Sequence, residues 1–422
     1  MKIIDKICFF TGSSANQTKD KRGRGVYNNT VTAKEGRRVM DEKKREFAAG
    51  EIPPENMTEA LVSLENLARN VRLIRQRIGE KRRIMGIVKA NAYGHNVHRV
   101  AETLEKSGIE DFGVANIHEA IELKKGGTLK KPATILAFSS PLPSQIPFFL
   151  HHSIEMTICD SLTIHAAEEI AAAENKTVAV QLKVDTGMGR LGAPPRVAME
   201  LLRQIESSPH LELTGIYTHF ADSATAGGFT QKQLDAFTTL TAEYEHASSK
   251  KVCKHAANSG AILSAPQSWL DMVRPGILLY GYHPAKNTSC RLDVKPVMQF
   301  EAKIIFVKKV PAGTTISYNR TWTAPEACSI ATIAAGYADG YARALSGRAT
   351  IMINGNAYPQ VGTVTMDQIM VDLGTRHNVK TGDKAILFGW EGDGADTLAE
   401  LAGTISYETL CSVSSRVKRI FL

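Results

Sequence analysis

The stretch Ile84-Met85-Gly86-Ile87-Val88-Lys89-Ala90-Asn91-Ala92-Tyr93-Gly94-His95 decides how the chain is read. An apolar run, Ile84 to Val88, delivers a lysine where the pattern stops reading as a strand and turns polar. A lysine there is either a solvated strand end or, if desolvated, a base or Schiff-base nucleophile with a depressed pKa. The setting favours the second reading, because a tyrosine and a histidine follow within six residues.

Outward from this run the same unit repeats. Upstream, Asn66 to Ile78 places Leu67, Val71, Ile74 and Ile78 at helical spacing. Downstream, further short apolar runs end in small or polar residues and mostly lead into helix-like segments. The full set is Ile84–Lys89, Phe112–Asn116, Ala133–Phe138, Glu155–Cys159, Val178–Asp185, Leu213–Phe220, Val252–Ala257 and Met272–Tyr280. Eight strand–helix units predict an α/β fold, a parallel (β/α)8 barrel over residues 55–292. After about Arg291 the texture changes. Phe300–Val310, Ser329–Ile333, Thr350–Ile353, Gln360–Thr365, Ile369–Leu373 and Lys384–Phe388 read as strands between Gly, Pro and Asn turns. Only Thr397–Ala402 and Tyr407–Cys411 read as helices there, so residues 293–422 form a mainly β C-terminal domain.

Residues 1–50 read as a basic extension without apolar periodicity, as in a disordered segment. Either it is a genuine tail, or the start codon is taken too far upstream, with Met40 and Met57 as later candidates. The net charge of +8 collects there: the first fifty residues hold 12 Lys+Arg against 6 Asp+Glu, leaving 39 against 37 for the rest. The folded body is nearly neutral, which gives no basic footprint for nucleic acid. No window approaches a membrane-spanning apolar run. The six cysteines are scattered without a C-x-x-C pair, which points to reduced thiols in a cytoplasmic protein and to no metal site.

In barrels of this kind, active-site groups stand at the C-terminal ends of the strands, and phosphate binds after strands seven and eight. That rule collects Lys89, Lys183 through Arg190, His219, Asn258-Ser259-Gly260 and Arg274-Pro275-Gly276-Ile277. Each has a plainer explanation alone. His219 can be a hydrogen-bonded structural residue, and Asn258-Ser259 can cap a helix. A cap beside a glycine is also how backbone N–H groups bind phosphate, and Gly276 can belong to the same cradle. Gly187-Met188-Gly189-Arg190-Leu191-Gly192 spells the dinucleotide fingerprint, but Pro194-Pro195 delay the helix until about Arg196. The glycines instead let the loop set Arg190 beside a bound carboxylate.

These segments resemble those of alanine racemases, enzymes that use pyridoxal 5'-phosphate (PLP). The resemblance is carried by Val88 through His95, Lys183 through Arg190, Tyr217-Thr218-His219-Phe220, Asn258-Ser259 and Arg274-Pro275-Gly276. It continues through Ser317-Tyr318, Gly336 through Tyr341, Met366-Asp367-Gln368 and Ser406-Tyr407-Glu408. Nine segments fall in family order over about 58 to 422. The resemblance implies that Lys89 binds the cofactor covalently and is one of two catalytic bases, the other being Tyr318 of the partner subunit in a homodimer. Two groups on opposite faces exchange the α-proton of L- and D-alanine without rotating the substrate. A free phenol ionises near ~10, so a tyrosine base at neutral pH needs a shift of ~3 units, about 4 kcal/mol. The resemblance has His219 hydrogen-bond Tyr318, with Arg274 polarising His219 and facing the pyridine nitrogen, which a guanidinium leaves unprotonated. Phosphate contacts fall to Tyr93, Ser259, Gly276, Ile277 and Tyr407, with Asn258 beside them. The substrate carboxylate falls to Arg190 and the backbone N–H of Met366, and Tyr337 lines the entrance. Lys183 is either the lysine that many members carbamylate or an ordinary salt-bridging lysine.

Two features depart from the pattern: Thr365 stands where many members have cysteine, and the basic extension has no counterpart. The expected function is an alanine racemase supplying D-alanine for peptidoglycan. The alternatives are a broad-spectrum, serine or lysine racemase of the same fold, and a PLP-binding barrel protein without activity, which lacks the β domain. A fold-related decarboxylase places an acid where Arg274 stands.

Overall fold

The computed structural model describes residues 55–224, 228–288 and 290–422. The extension read over 1–50 lies outside them. The strand β1 (Thr58–Val62) leads into the helix Leu64–Ile78, which buries Leu67, Val71, Ile74 and Ile78 as their spacing predicts. Eight strands then close into a parallel barrel in sequence order. They are β2 (Arg83–Ile87), β3 (Asp111–Val114), β4 (Thr134–Ala137), β5 (Glu155–Ile158), β6 (Val178–Lys183), β7 (Leu211–Tyr217), β8 (Cys253–Asn258) and β9 (Met272–Arg274). The ring closes where β9 meets β2, with Arg83 opposite Met272 and Ile84 opposite Val273.

The barrel follows from the composition of its strands. β3 is buried throughout, and β2, β4 and β5 are buried except at their first residue. Strands covered by helices outside and filled by side chains inside are apolar on both faces, so they read as continuous runs rather than alternations. Helix starts are fixed by short polar side chains. Asn96, Asn116, Asp160 and Asn258 each accept a hydrogen bond from a backbone N–H in the first helical turn. The helix after β6 runs Pro195–Glu206, so the glycine run at 187–192 lies ahead of it in a loop, as the absence of a nucleotide fingerprint requires.

The C-terminal part is mainly β. It comprises β10 (Met298–Val310), β11 (Thr315–Ile316), β12 (Trp322–Thr323), β13 (Cys328–Ile333), β14 (Thr350–Ile353), β15 (Asn356–Val361), β16 (Ile369–Gly374), β17 (Lys384–Phe388) and β18 (Lys418–Phe421), with helices Ala395–Ala402 and Ser406–Ser412. The main sheet runs β13-β16-β15-β14-β17-β10-β1-β18. β10 pairs with β17 through Phe300–Lys303 and with β13 from Ile304 onward, a bulge between Ile304 and Phe306 letting one long strand serve both.

Three differences from the sequence reading have physical causes. β9 stops at Arg274 rather than Tyr280. Pro275 offers no N–H, and Ile277 to Tyr280 are wholly buried in turns. β15 ends at Val361, because Gly362 turns away at φ +70° and packs on the Ile316 carbonyl. β1, at the head of the region read as barrel, pairs instead in the second sheet, with Ala60 opposite both Phe300 and Arg419. Among the described residues, no helix is long and apolar enough to cross a membrane.

Candidate active site

Lys89 opens a turn of unusual handedness. Ala90, Asn91, Ala92 and Tyr93 all have positive φ, between 52° and 55°. Each such L-residue costs ~1–2 kcal/mol, so the turn stores roughly 4–8 kcal/mol that neighbours must offset. The Glu119 carboxylate accepts from Ala90 N at 2.8 Å and Ala115 N at 2.7 Å. The Asn91 side chain accepts from Val97 N, Tyr280 donates to the Ile87 carbonyl, and Arg419 on β18 donates to the Gly94 carbonyl. Held in this way, the turn sends Lys89 into a cavity of about 530 Å³ at the C-terminal end of the barrel.

The cavity gathers Lys89, Tyr93, Lys183, Arg190, His219, Asn258, Ser259, Arg274, Gly276, Ile277 and Tyr407, eleven of the fourteen residues singled out from sequence. Its floor is cationic. Arg274 is buried and donates to the Thr218 and Ala256 carbonyls, to His255 Nδ1 at 2.8 Å and more weakly to His219 Nδ1 at 3.4 Å. Burial pulls its pKa down to about 10, which leaves it charged at neutral pH. Lys183 and Arg274 both lie over the Tyr217 ring, at 5.6 and 5.5 Å from its centroid. Burial, with Arg190 nearby, pulls Lys183 down to about 8 and also lowers Lys89. Burial first, and then Arg274, hold His219 well below the usual histidine range, so it is neutral.

Arg190 rides on a loop organised by Asp185, whose carboxylate accepts from the N–H groups of Gly187, Met188 and Gly189. At the far end, Ser259 Oγ accepts from Gly276 N at 2.9 Å, and Asn258 caps the following helical turn while accepting from Ser223. Tyr93 stacks on Tyr280 and leans on Tyr407. A Cβ at Gly276 would fall 2.5 Å from the Tyr93 hydroxyl, so any larger residue there must push the Tyr93 ring aside.

Tyr318, Tyr337 and Met366 do not line this cavity. They share a surface of the β part. The Ser317 hydroxyl donates to the Thr363 carbonyl and the Thr363 hydroxyl to the Tyr318 carbonyl, which pins the Tyr318 turn to the loop after β15, while Tyr337 N and Ala338 N donate to the Thr365 and Met366 carbonyls. All three side chains are exposed, Tyr318 by 69%. Sequence reasoning missed Glu119, which anchors the Lys89 turn, and His255 and Gln181, which stand behind Arg274. His255 and Gln181 did leave a signal, as polar residues inside apolar strand runs.

Three buried histidines make stability pH-dependent. His95 is held down to about 4 by burial, and His219 and His255 are held well below 6.5. Their folded pKa values lie below the unfolded ones, so the unfolded chain binds more protons as pH falls through 6.5. Unfolding free energy should drop by up to ~4 kcal/mol per pH unit below about pH 5.5, from three protons. Urea titrations between pH 7.5 and 4.5 measure this; a flat profile would refute the neutral assignments.

Residues 62–284 match the alanine racemase N-terminal domain and residues 297–421 the alanine racemase C-terminal domain. An alanine racemase of Chlorobaculum tepidum is 59% identical over 365 residues, covering 86% of this chain and 95% of its own. One of Treponema denticola is 39% identical over 375 residues, covering 86% and 98%. Among solved structures, an alanine racemase of Clostridium difficile 630 superimposes with a TM-score of 0.83 at 33% identity, covering 88% of this chain and 97% of that one. With both parts matched in order and one relative this similar across nearly its whole length, the chain belongs to the alanine racemase family of isomerases.

Proposed function

We propose that the protein interconverts L- and D-alanine with pyridoxal 5'-phosphate, as a cytoplasmic homodimer that supplies D-alanine for peptidoglycan. The observation that carries this is the single cavity where Lys89, Arg190, His219 and Arg274 meet the Ser259–Gly276 cradle. The residues present fit the cofactor. Hydroxyls of Tyr93, Ser259 and Tyr407 and the peptides of Gly276 and Ile277 suit its phosphate, and a Cβ at Gly276 would close that space. Arg274 suits the ring nitrogen, and Lys89 supplies the amine. When bound, the cofactor withdraws electron density from the substrate's Cα and so acidifies its proton.

The chain's own groups do the rest. Arg190 binds the alanine carboxylate, with the backbone N–H of Met366 from the partner subunit. Lys89, already pushed toward its neutral form by burial, takes or returns the proton on one face. Tyr318 of the partner subunit serves the other, with neutral His219 as its hydrogen-bond partner and Tyr337 at the entrance. That Tyr318, Tyr337 and Met366 are exposed and clustered away from their own cavity supports a site completed across two copies.

The test is deuterium uptake at Cα of L-alanine in D2O, followed by NMR with optical rotation, with L-serine and L-lysine in parallel. Uptake with loss of rotation on alanine alone is expected. Equal rates on serine or lysine would mean a broad-spectrum racemase, and no uptake with cofactor bound would leave a binding protein.

Lys183 we assign as the carbamylated lysine. With its pKa near 8, a useful fraction of free amine meets CO2 at neutral pH, and the guanidinium charges of Arg190 and Arg274 that disfavour the ammonium would favour the product anion. Native mass spectrometry should show the gain of one CO2, lost under CO2-free buffer together with part of the activity. An unchanged mass and rate would leave Lys183 as a plain cation.

A further inference from the structure

Interiors of such barrels are ordinarily filled by layers of branched aliphatic side chains. Here a row of polar groups crosses the interior. Glu155 on β5, Gln181 on β6, His255 on β8 and Arg274 on β9 are joined end to end. Gln181 Nε2 donates to Glu155 Oε2, His255 Nε2 meets Gln181 Oε1 at 2.6 Å, and Arg274 Nη1 meets His255 Nδ1 at 2.8 Å. Gln181, His255 and Arg274 are each less than 5% exposed, so their polar atoms must be satisfied within the protein.

The direction of each proton follows from the end of the row. A guanidinium only donates, so His255 Nδ1 must offer its lone pair, and the imidazole is neutral with its hydrogen on Nε2. That hydrogen needs an acceptor, which turns the Gln181 carbonyl toward His255 and its amide nitrogen toward Glu155. A reversed amide would set donor against donor. Moving the imidazole proton to Nδ1 would only transfer the conflict to Arg274. Glu155 is therefore what stops the amide from turning. The surroundings are shaped for this arrangement. A Cβ at Gly215 would lie 3.0 Å from Gln181 Cδ and Oε1, and the Tyr217 ring stacks on His255 at 4.9 Å and 10°.

We propose that Gln181, oriented by Glu155, is a positioning residue for Arg274: it locks His255 in the Nε2–H tautomer and so aims the guanidinium into the cavity. With one Nη1–H taken by His255, and Nη2 occupied by the Thr218 and Ala256 carbonyls and His219, the guanidinium cannot rotate. Its catalytic importance rests on Arg274 facing the cofactor ring, as proposed above. The tautomer itself does not depend on that reading, so the two can fail separately.

The first measurement is the 15N NMR spectrum of histidine-labelled full-length protein, with and without pyridoxal phosphate, the His255 signals identified by their loss in His255→Gln. The expected result is hydrogen on Nε2 and a bare Nδ1 in both states; hydrogen on Nδ1 would overturn the proposal. The second is alanine racemisation by Gln181→Met. It should lower kcat at least ~tenfold with KM for alanine little changed, since Arg190 rather than Arg274 holds the carboxylate. Gln181→Glu, which offers His255 only acceptors, should recover most of that loss. A folded Gln181→Met protein with wild-type kcat, or a Gln181→Glu protein no better than it, would sink the assignment. If Gln181→Met does not fold, Gln181→Asn shortens the same reach and is judged by the same criteria.

Discussion

Lys89→Ala is expected to lower alanine racemisation by roughly 10⁴-fold or more and to remove the covalent attachment of pyridoxal phosphate. The size of the effect follows from what holds Lys89. It stands half-buried at the mouth of a strained turn, and the carboxylate nearest that turn, Glu119, is committed to the N–H groups of Ala90 and Ala115. Among the described residues no ion pair takes its ammonium. Burial and Arg190 both favour the free amine, the form that reacts with an aldehyde and accepts a proton. On the proposed assignment one group performs two jobs, and its loss removes both. The alternative amine is Lys183, in the same cavity and with a pKa near 8. Borohydride reduction and peptide mapping distinguish the two. Label on Lys89 in the wild type and none in Lys89→Ala supports the assignment, whereas label retained on Lys183 in the variant would refute it.

How much of this was legible in the sequence depends on where each signal is stored. The barrel strands were legible because burial on both faces writes itself as uninterrupted apolar runs. The same signal misled at Ile277-Leu278-Leu279-Tyr280, where apolarity marks burial in turns rather than a strand. Strands β1 and β18 left little trace. Each is only four or five residues, and their partners lie far along the chain, as Glu59 opposite Glu301 and Lys418 illustrates. The left-handed turn after Lys89 was invisible for a different reason. No glycine occupies 90–93, and its strain is offset by contacts from Glu119 and Arg419 that no local pattern encodes.

The site divides along the same line. Residues at strand ends could be collected from strand counting alone, and the cavity gathers them. The groups behind them showed only as polar residues inside apolar runs, and their pairing was hidden because the row through His255 joins residues from four different strands. Tyr318 is the limiting case. Its own surroundings, a tight turn pinned to Thr363, explain how it is held out from the β part but not what it meets.

Tyr318→Phe therefore carries the largest information after Lys89. It should retain cofactor binding and reduce racemisation by ~10²–10⁴-fold, with proton exchange impaired far more on one enantiomer than on the other. The phenyl ring keeps the packing and loses only the hydroxyl, so an equal loss on both faces would argue against two separate bases. Mixing decides whether the hydroxyl is delivered across subunits. A hybrid dimer of Lys89→Ala and Tyr318→Phe chains holds one site bearing both defects and one bearing neither. Random exchange between equal amounts should thus restore about a quarter of wild-type sites from two inactive proteins. If each cavity used its own Tyr318, every site would keep one defect and mixing would restore nothing. The exposure of Tyr318 and its absence from the cavity of its own chain predict recovery.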